Sequence, residues 1–368
     1  MKLSEISTPA FVIDYTRLLA NLELMKSRAS AAGVRLRPHT KTHKTREIAA
    51  LQMDASRSIT VSTLAEAEFF FESGIRDITY AVPILPEKLE RVSRLLKMGA
   101  DLKLLVDHPS LTEVLNSEAS DRGVRFKLML KIDSGYGRAG FSPESEEGLR
   151  MARDVHDSEN LDLEGILTHA GHSYACRNSK EIAETALEEQ NALARFATRM
   201  SDAGIPCPVI SAGSTPTSMH ADEWGDVNEI RPGCYVFFDK YQVDIGTCRL
   251  EDCSAFILAG IIGSYPERNQ LLIDAGALAF SKDPGPTHLR QPPAFGLVRE
   301  YPGLYVTGIS QEHGIITSNR PVDFDKFRIG GKLSIIPNHC CLAAALFPKY
   351  HIVNADEVTD TWKPVRGW

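Results

Sequence analysis

Short apolar runs alternate with longer helical segments along the first two thirds of the chain. Eight runs have the length and β-branched content of buried strands, at 35–39, 59–63, 78–82, 102–106, 126–132, 165–169, 208–212 and 229–237. Between them, helical spacing predicts helices most clearly at 15–32, 86–98, 109–122, 143–155 and 181–203. Eight strands that alternate with helices predict a closed parallel (β/α)₈ barrel, with an open doubly wound sheet as the alternative.

The pattern changes after about residue 250. Strand-length apolar pieces then follow one another, separated by Gly, Pro, Asn and Asp turns, and no long helical pattern intervenes. We therefore predict a barrel domain at 1–248 and a mostly β domain at 249–368. Residues 1–14 precede the first barrel helix and could pack with the β domain or cap the barrel.

Composition excludes several classes of protein. The 368 residues carry a formal net charge of −7, which argues against nucleic acid as a main partner. The chain has no apolar stretch of signal-peptide length at its start and no run near the roughly 20 residues that span a membrane. Seven scattered cysteines indicate reduced thiols rather than a disulfide framework. We expect a cytoplasmic protein that binds neither nucleic acid nor membrane.

Lys41 lies just past the first predicted strand, in the segment RLRPHTKTHK. Active sites of barrels form at this end of the strands. A lysine there can carry an aldehyde cofactor as an imine if its surroundings lower its pKa. The basic neighbours expected to do so are Arg35, Arg37, His39, His43 and Lys44. Taken alone, the segment fits a basic surface loop equally well.

Two segments of small residues follow the seventh and eighth strands: AGSTPTS at 212–218 and RPGCYVF at 231–237. Small residues let backbone N–H groups approach an anion, and hydroxyls add donors. Barrels frequently bind phosphate with these two loops. Either segment alone is typical of an ordinary turn, but their joint placement favours a phosphate site.

Two further loops carry polar side chains. In KIDSGYGRAGF (131–141), Asp133 and Arg138 either present a guanidinium inward or form an ion pair that only shapes the loop. In LTHAGHSYA (167–175), His169, His172 and Tyr174 could stack on a ring, orient a substrate or relay protons. A histidine with a purely structural hydrogen bond is the commoner case.

The segment PNHCCLAAALF (337–347) suggests a metal site. In an extended segment His339 and Cys341 point to the same side, whereas Cys340 points to the other side, towards the core. Imidazole and thiolate are donors that zinc favours, and two protein ligands leave positions open for substrate or water. By itself His-x-Cys is a weak signal, because a free cysteine is often only a small buried hydrophobe.

Taken together and in this order, these segments resemble the fold type III pyridoxal phosphate enzymes, and more narrowly the D-serine dehydratase and D-threonine aldolase branch. The resemblance covers nearly the whole chain and rests on RPHTKTHK, IDSGYGRAGF, AGSTPTS, RPGCYVF and PNHCC. It implies an alanine-racemase-like barrel followed by a β domain, assembled as a homodimer.

The resemblance also implies a set of site residues. Pyridoxal 5'-phosphate falls on Lys41, with His39 beside it, and an arginine meets the pyridine nitrogen, Arg138 as first candidate and Arg231 as second. A divalent metal, zinc or another ion such as manganese, falls on His339 and Cys341. The phosphate cradle falls on Gly213, Ser214, Thr215, Gly233 and Cys234, with a contribution from Tyr235.

The implied activity is that of a lyase acting on a D-amino acid with a β-hydroxyl, with Lys41 as the base for the Cα proton. Dehydratases of the family use His-x-Cys, whereas the aldolases tend to show His-x-Asp, so we expect conversion of D-serine to pyruvate and ammonia. Leu342 stands where the dehydratase pattern has proline, which leaves the substrate open.

Four alternatives remain. One is aldol cleavage of D-threonine type to glycine and an aldehyde, with His169 or His172 as the base. Another is dehydration of 3-hydroxy-D-aspartate. A third is racemisation of an amino acid, which would need no metal. A non-catalytic pyridoxal phosphate-binding protein would lack the β domain and the His-x-Cys ligands.

Overall fold

The computed structural model describes residues 1–53, 57–289 and 294–368, and these divide into two compact units. The barrel unit consists of Met25–Gly233 and Val365–Trp368, and the sheet unit of Met1–Leu24 and Cys234–Pro364. Both units are discontinuous in sequence, whereas the division predicted at 248/249 is a single cut.

Strands are numbered in chain order. They are β1 (Ala10–Asp14), β2 (Arg35–Leu36), β3 (Ser58–Val61), β4 (Asp77–Pro83), β5 (Asp101–Val106), β6 (Phe126–Lys131), β7 (Leu161–Leu167), β8 (Val209–Ala212), β9 (Glu229–Ile230), β10 (Ala255–Tyr265), β11 (Gln270–Ile273), β12 (Gly296–Val298), β13 (Leu304–Ile309), β14 (Gly314–Ser318), β15 (Lys332–Pro337), β16 (Tyr350–Asn354) and β17 (Glu357–Trp362).

Helices are numbered in the same way. They are α1 (Tyr15–Ala31), α2 (Arg46–Gln52), α3 (Leu64–Glu72), α4 (Leu89–Lys97), α5 (Leu111–Arg122), α6 (Glu146–His156), α7 (Ser179–Asp202), α8 (Thr215–His220), α9 (Lys240–Asp244), α10 (Ala277–Phe280) and α11 (Cys340–Leu346). The five predicted helices are present, whereas the sequence pattern did not predict α2, α3 and α8, which are too short to show several helical periods.

The barrel unit contains eight parallel strands in the order β2-β9-β8-β7-β6-β5-β4-β3. A parallel bridge between His39 and Thr60, and a 2.9 Å hydrogen bond from Thr60 N to Pro38 O, join the two ends of this sheet. The predicted closed barrel is therefore confirmed and the open sheet is excluded. The last strand is much shorter than predicted, because Pro232 has no N–H to continue the ladder and the chain turns into a 3₁₀ helix at Cys234–Val236.

The sheet unit holds a nine-stranded sheet in the order β11-β14-β13-β12-β15-β10-β1-β16-β17. Among the described residues its strands pair antiparallel, except that β1 and β16 are parallel, so the predicted β domain is confirmed. Strand β1 lies between β10 and β16, with Phe11 opposite Ile257 and Tyr350. Its residues 10–13 are buried on both faces, as expected of a central strand.

A buried ionic network lies at the amino ends of the barrel strands. The Arg37 guanidinium is 1% exposed, and its Nε donates to Glu229 Oε2 at 2.7 Å. Its Nη1 and Nη2 donate to the two Asp77 oxygens at 2.6 and 3.0 Å. Burial by itself raises the pKa of Asp77, but the hydrogen bonds and charges of Arg37 and Lys103 lower it to about 2. The network stays ionised well into the acid range.

We expect Arg37→Met to lower the free energy of unfolding by about 3–5 kcal/mol, because it leaves two carboxylates without their partner. In the wild type, Asp77 contributes about 2 kcal/mol above pH ~4, and this is lost as the pH falls towards 2. The variant is therefore expected to unfold at a higher pH in acid titrations followed by circular dichroism. The exposed Arg195, 2.8 Å from Glu144, is the matched control, and Arg195→Met should cost less than about 1 kcal/mol. Equal losses for both variants would contradict this interpretation.

Candidate active site

Lys41 lies in a 3₁₀ turn, Thr40–Thr42, that follows β2 at the carboxyl end of the barrel, and it is exposed. His39 caps this turn, with its Nδ1 3.4 Å from Lys41 N. The basic side chains expected to crowd Lys41 contact other groups. His43 Nε2 lies 2.8 Å from Gln52 Oε1, and Lys44 Nζ lies 2.9 Å from Glu66 Oε1.

Arg35 and Arg37 also contact a group other than Lys41, since both bind Glu229. These four neighbours therefore have partners other than Lys41. In a parallel barrel, alternate residues of a strand face opposite sides, and this turns the two arginines towards the ionic network.

Cationic side chains converge instead on His169, which follows β7. Burial lowers the pKa of His169 well below its ordinary value, and the charges of Lys41, Lys131, Arg138 and Arg231 lower it further. The imidazole is therefore neutral at pH 7 and can accept a hydrogen bond or stack on a ring. The structure thus brings Lys41, His169, Arg138 and Arg231 together at one end of the barrel.

The two arginine candidates have different environments. Arg231 is buried, and its guanidinium donates to Ser211 Oγ and to the Thr168 carbonyl. Burial lowers its pKa to about 10, so it stays charged near neutral pH. Arg138 is exposed and lies over the Tyr136 ring, 5.1 Å from its centroid.

Asp133 shapes the loop that carries Arg138 through backbone contacts. Its carboxylate accepts from the N–H groups of Gly135, Tyr136 and Gly137 at 2.9–3.1 Å. Asp133 therefore binds the loop backbone, and the alternative of an Asp133–Arg138 ion pair is not seen among the described residues.

Lys131 is a site residue that sequence reasoning missed. It is the last residue of β6 and is 6% exposed. Burial lowers its pKa to about 7, with Arg231 and Arg138 as further causes. A lysine at the carboxyl end of an apolar strand is the signal that could have identified it, because long cations are seldom buried without a role.

Glu189 was also missed. This buried carboxylate of α7 accepts from Ala170 N at 2.9 Å, Gly213 N at 3.1 Å and Thr217 Oγ1 at 3.0 Å. It therefore ties the histidine loop to the small-residue loop after β8. The sequence pattern that could have identified Glu189 is an acidic residue on the apolar face of a helix, two turns after Ile182.

The small-residue loop after β8 has the features of an anion cradle. Gly213 adopts φ +95°, and an added Cβ would lie 2.9 Å from Ser218 Oγ. Ser214 uses its own donors in a capping box with Thr217, at the start of α8, where the buried Thr215 lies. Ser218 Oγ is buried and, within 1–53, 57–289 and 294–368, has no hydrogen-bond partner. A phosphate would supply the missing acceptor, so this loop fits pyridoxal phosphate.

Gly233 brings the second loop against the Lys41 segment. A Cβ on Gly233 would lie 3.0 Å from His39 O and 3.2 Å from Thr42 Oγ1, so a larger residue would have to displace these atoms by a few tenths of an ångström. Cys234 and Tyr235 follow in the 3₁₀ turn of the sheet unit, and both are buried.

His172 and Tyr174 lie in a 3₁₀ turn, Gly171–Ala175, after β7. His172 is half-buried, its Nε2 is 3.9 Å from Glu188 Oε2, and its ring centroid is 6.2 Å from that of Tyr136. Tyr174 is half-buried in the same turn.

The predicted metal ligands occupy a strand-to-helix junction of the sheet unit. Strand β15 ends at Pro337 and α11 begins at Cys340, with His339 as its N-cap. The prediction of an extended segment is therefore wrong. Cys340 does not point away either, because the Sγ atoms of Cys234, Cys340 and Cys341 lie within 4.8 Å of one another. Residues of a helix are about 100° apart rather than 180°, which explains the difference.

The donor set fits a divalent metal. His339 Nδ1 lies 2.8 Å from Asp283 Oδ2, which leaves Nε2 for a metal in the carboxylate–histidine arrangement common at zinc sites. Contacts with Cys234 and Cys340, together with His339, lower the pKa of Cys341 well below its ordinary value. Asn338 Nδ2 donates to Asp283 O at 3.2 Å and so holds the two segments together.

We expect Asp283→Asn to weaken metal binding by about 10–100-fold while leaving the fold intact, because Asp283 orients His339 and raises its basicity. Competition with a metal-sensitive dye would measure this loss. Asp323→Asn, which removes an exposed carboxylate 3.3 Å from Lys326, is the control and should leave the affinity unchanged. Wild-type affinity in Asp283→Asn would contradict the assignment.

Two family models match the chain. That of the alanine racemase N-terminal domain covers residues 13–241, and that of a putative serine dehydratase domain covers residues 254–353. The D-threo-3-hydroxyaspartate dehydratase of Delftia sp. (strain HT23) is 39% identical, over 99% of this chain and 98% of that protein. The D-serine dehydratase of Dictyostelium discoideum is 37% identical, over 100% of this chain and 98% of that protein.

Solved structures agree with these matches. That of the D-threo-3-hydroxyaspartate dehydratase from Delftia sp. HT23 has a TM-score of 0.95 and 37% identity, over 100% of both chains. A cysteine-to-alanine mutant of a D-threo-3-hydroxyaspartate dehydratase, in the metal-free form, has the same TM-score of 0.95.

Among the described helices, none is both long and apolar enough to cross a membrane. The resemblance inferred from the motifs is confirmed by family models that together span most of the chain. Relatives that match nearly the whole chain include dehydratases and an aldolase, in agreement with the predicted lyase class. This chain belongs to the fold type III pyridoxal phosphate enzymes that include the D-serine dehydratases and D-threonine aldolases.

Proposed function

We propose that this protein is a D-serine dehydratase, which converts D-serine to pyruvate and ammonia with pyridoxal phosphate and a divalent metal. The observation that carries the proposal is the convergence of Lys41, Lys131, Arg138 and Arg231 on the neutral His169 at the carboxyl end of the barrel. Barrel enzymes place their chemistry at this end, and a cationic pocket suits a phosphorylated cofactor and an amino acid carboxylate.

Residues of the barrel unit would hold the cofactor. Lys41 would be its attachment point, Ser218 Oγ would donate to the phosphate beside the loop from Gly213 to Thr215, and Gly233 permits the close approach of the second loop to the Lys41 segment. Arg231 is the better candidate for the pyridine nitrogen, because Ser211 and Thr168 fix its buried guanidinium, whereas Arg138 is exposed. Bound pyridoxal phosphate supplies the electron sink for deprotonation at Cα.

Side chains around this pocket move the protons and hold the substrate. The Lys41 amine would be the base that takes the Cα proton. His169 accepts a hydrogen bond or stacks, because its lowered pKa leaves it unable to act as an acid. Lys131, with a pKa of about 7, is positioned to bind an anionic group and to give up a proton near neutral pH.

His339 and Cys341 would hold the metal, with zinc favoured over manganese because a thiolate is a soft donor. Such an ion supplies Lewis acidity at the β-hydroxyl, which makes hydroxide a better leaving group. Asp283 fixes the tautomer and orientation of His339 through its 2.8 Å contact. Cys341 occupies the position at which the aldolases of the resemblance tend to have a carboxylate, and this favours dehydration.

A second candidate substrate is 3-hydroxy-D-aspartate. Its extra carboxylate calls for an additional cation, and Lys131 and Arg138 both lie near His169. The relative from Delftia is named for this activity. Two further cations of the chain, Arg177 and Lys282, are exposed. A third, Arg290, lies outside the described residues.

We further propose that the enzyme is a homodimer in the cytoplasm. The family resemblance supports the dimer, and the sequence composition supports the compartment. Sedimentation of the full chain at micromolar concentration should give about twice the monomer mass of 40.6 kDa.

Product analysis tests the reaction. The full chain, loaded with pyridoxal phosphate and zinc, is offered D-serine, D-threonine and 3-hydroxy-D-aspartate in parallel. Keto acid and ammonia from each accepted substrate are expected, with the highest kcat/KM for D-serine. A higher kcat/KM for 3-hydroxy-D-aspartate would favour the second candidate, and glycine with an aldehyde would contradict the dehydratase.

A further inference from the structure

Three cysteine side chains meet inside the sheet unit. The Sγ atoms of Cys234, Cys340 and Cys341 lie within 4.8 Å of one another, and those of Cys234 and Cys340 are 3.4 Å apart. Zinc–sulfur bonds of about 2.3 Å place two sulfurs on one ion roughly 4 Å apart. The three thiols therefore already have nearly the separation that a shared metal ion requires. We call them the thiol cluster.

Asp239 holds the thiol cluster in place. Its buried Oδ2 accepts from Cys340 N at 3.0 Å and from Cys234 Sγ at 3.3 Å. Its Oδ1 accepts from Gln242 N at 3.0 Å, which fixes the carboxylate at the start of α9. The cluster thus joins residues 106 positions apart in sequence through one shared acceptor.

We propose that the thiol cluster is a binding site for one soft, thiophilic cation, such as Cd²⁺ or Cu⁺, with all three sulfurs as donors. Sulfur-only donor sets select soft ions over harder ones. His339 lies outside the group of mutually close donor atoms, among the residues that the structure describes. Cys340 is fully buried and Cys234 nearly so, whereas Cys341 is partly exposed and offers the entry.

Cys341 is shared between the thiol cluster and the pair with His339. When a cation is bound by the three sulfurs, Cys341 is therefore no longer available to bind a metal together with His339. Binding is a simple exchange of ligands, in which each thiol that coordinates as thiolate releases its proton to solvent and no oxidant is needed. The site gives soft metals a route to displace the metal that the proposed reaction uses.

Cadmium binding to the full chain tests this site without an activity assay. The chelator-treated protein is titrated with Cd²⁺ under argon, and X-ray absorption at the cadmium edge counts the sulfurs. We expect one ion with three sulfurs. Cys234→Ser and Cys340→Ser should each remove one sulfur and about a third of the sulfur-to-cadmium charge-transfer absorption. Cys176→Ser, in the other unit, is the matched control and should change neither.

A count of one or two sulfurs in the wild type would overturn the proposal, as would unchanged spectra in both cluster variants. The wild-type count decides alone if a variant does not fold. Because activity is not measured, failure of this test is distinct from failure of the proposed reaction.

Discussion

Lys41→Ala is expected to lower kcat by at least about 10³-fold, since it removes both the attachment point of the cofactor and the base for the Cα proton. The buried scaffold of Arg37, Glu229 and Asp77 is untouched, so stability should be unchanged. Treatment of the wild type with borohydride in the presence of pyridoxal phosphate should label the peptide that contains Lys41. The variant should carry no label there.

Lys180→Ala provides the control for Lys41, because Lys180 is an exposed surface lysine whose Nζ is 3.8 Å from Glu184. It should retain full activity and full labelling at Lys41. Labelling of a different lysine in the wild type, or appreciable turnover by Lys41→Ala, would show that the cofactor is held elsewhere.

Removal of the metal is the second change with a large expected effect. Cys341→Ala should lose the bound ion and lower kcat by on the order of a hundredfold to a thousandfold, because the β-hydroxyl then leaves without a Lewis acid. Exhaustive chelation of the wild type should have the same effect, and added zinc should restore activity in the wild type alone. The metal content per chain, measured alongside activity, shows whether the loss of activity accompanies the loss of the ion.

Cys207→Ala is the control for this experiment, since Cys207 is half-buried in the barrel unit and its Sγ lies 3.7 Å from Val209 O. Its metal content should equal that of the wild type. Full activity of the chelated wild type would instead favour a racemase, which has no step that needs the ion.

Some parts of the fold followed directly from sequence periodicity. Strands such as β5 and β6 are apolar runs bounded by polar turns, and the barrel places their carboxyl ends at one site. Because Lys41 follows β2 and His169 follows β7, the barrel prediction placed both residues at the same end, although they are far apart in the chain. The position of β1 in the sheet unit was left open, because a single apolar strand gives no sign of its partner.

Other features depended on packing that no local pattern records. The sequence predicted an extended PNHCC segment, yet α11 begins at Cys340, and this change turned Cys340 towards Cys234. The role of Glu189 depends on three donors from two different loops. Arg231 is a better candidate than Arg138 for the pyridine nitrogen because its guanidinium donates to Ser211 and Thr168 in the folded barrel. Long-range contacts of this kind become visible only in three dimensions.

The most direct test of the central claim is the stoichiometry of products that the full chain, loaded with pyridoxal phosphate and zinc, forms from D-serine. Proton NMR would follow pyruvate while an enzymatic assay follows ammonia, with L-serine in a parallel sample. We predict equal amounts of pyruvate and ammonia from D-serine and neither from L-serine. Formation of glycine, or of L-serine without pyruvate, would contradict the assignment as a D-serine dehydratase.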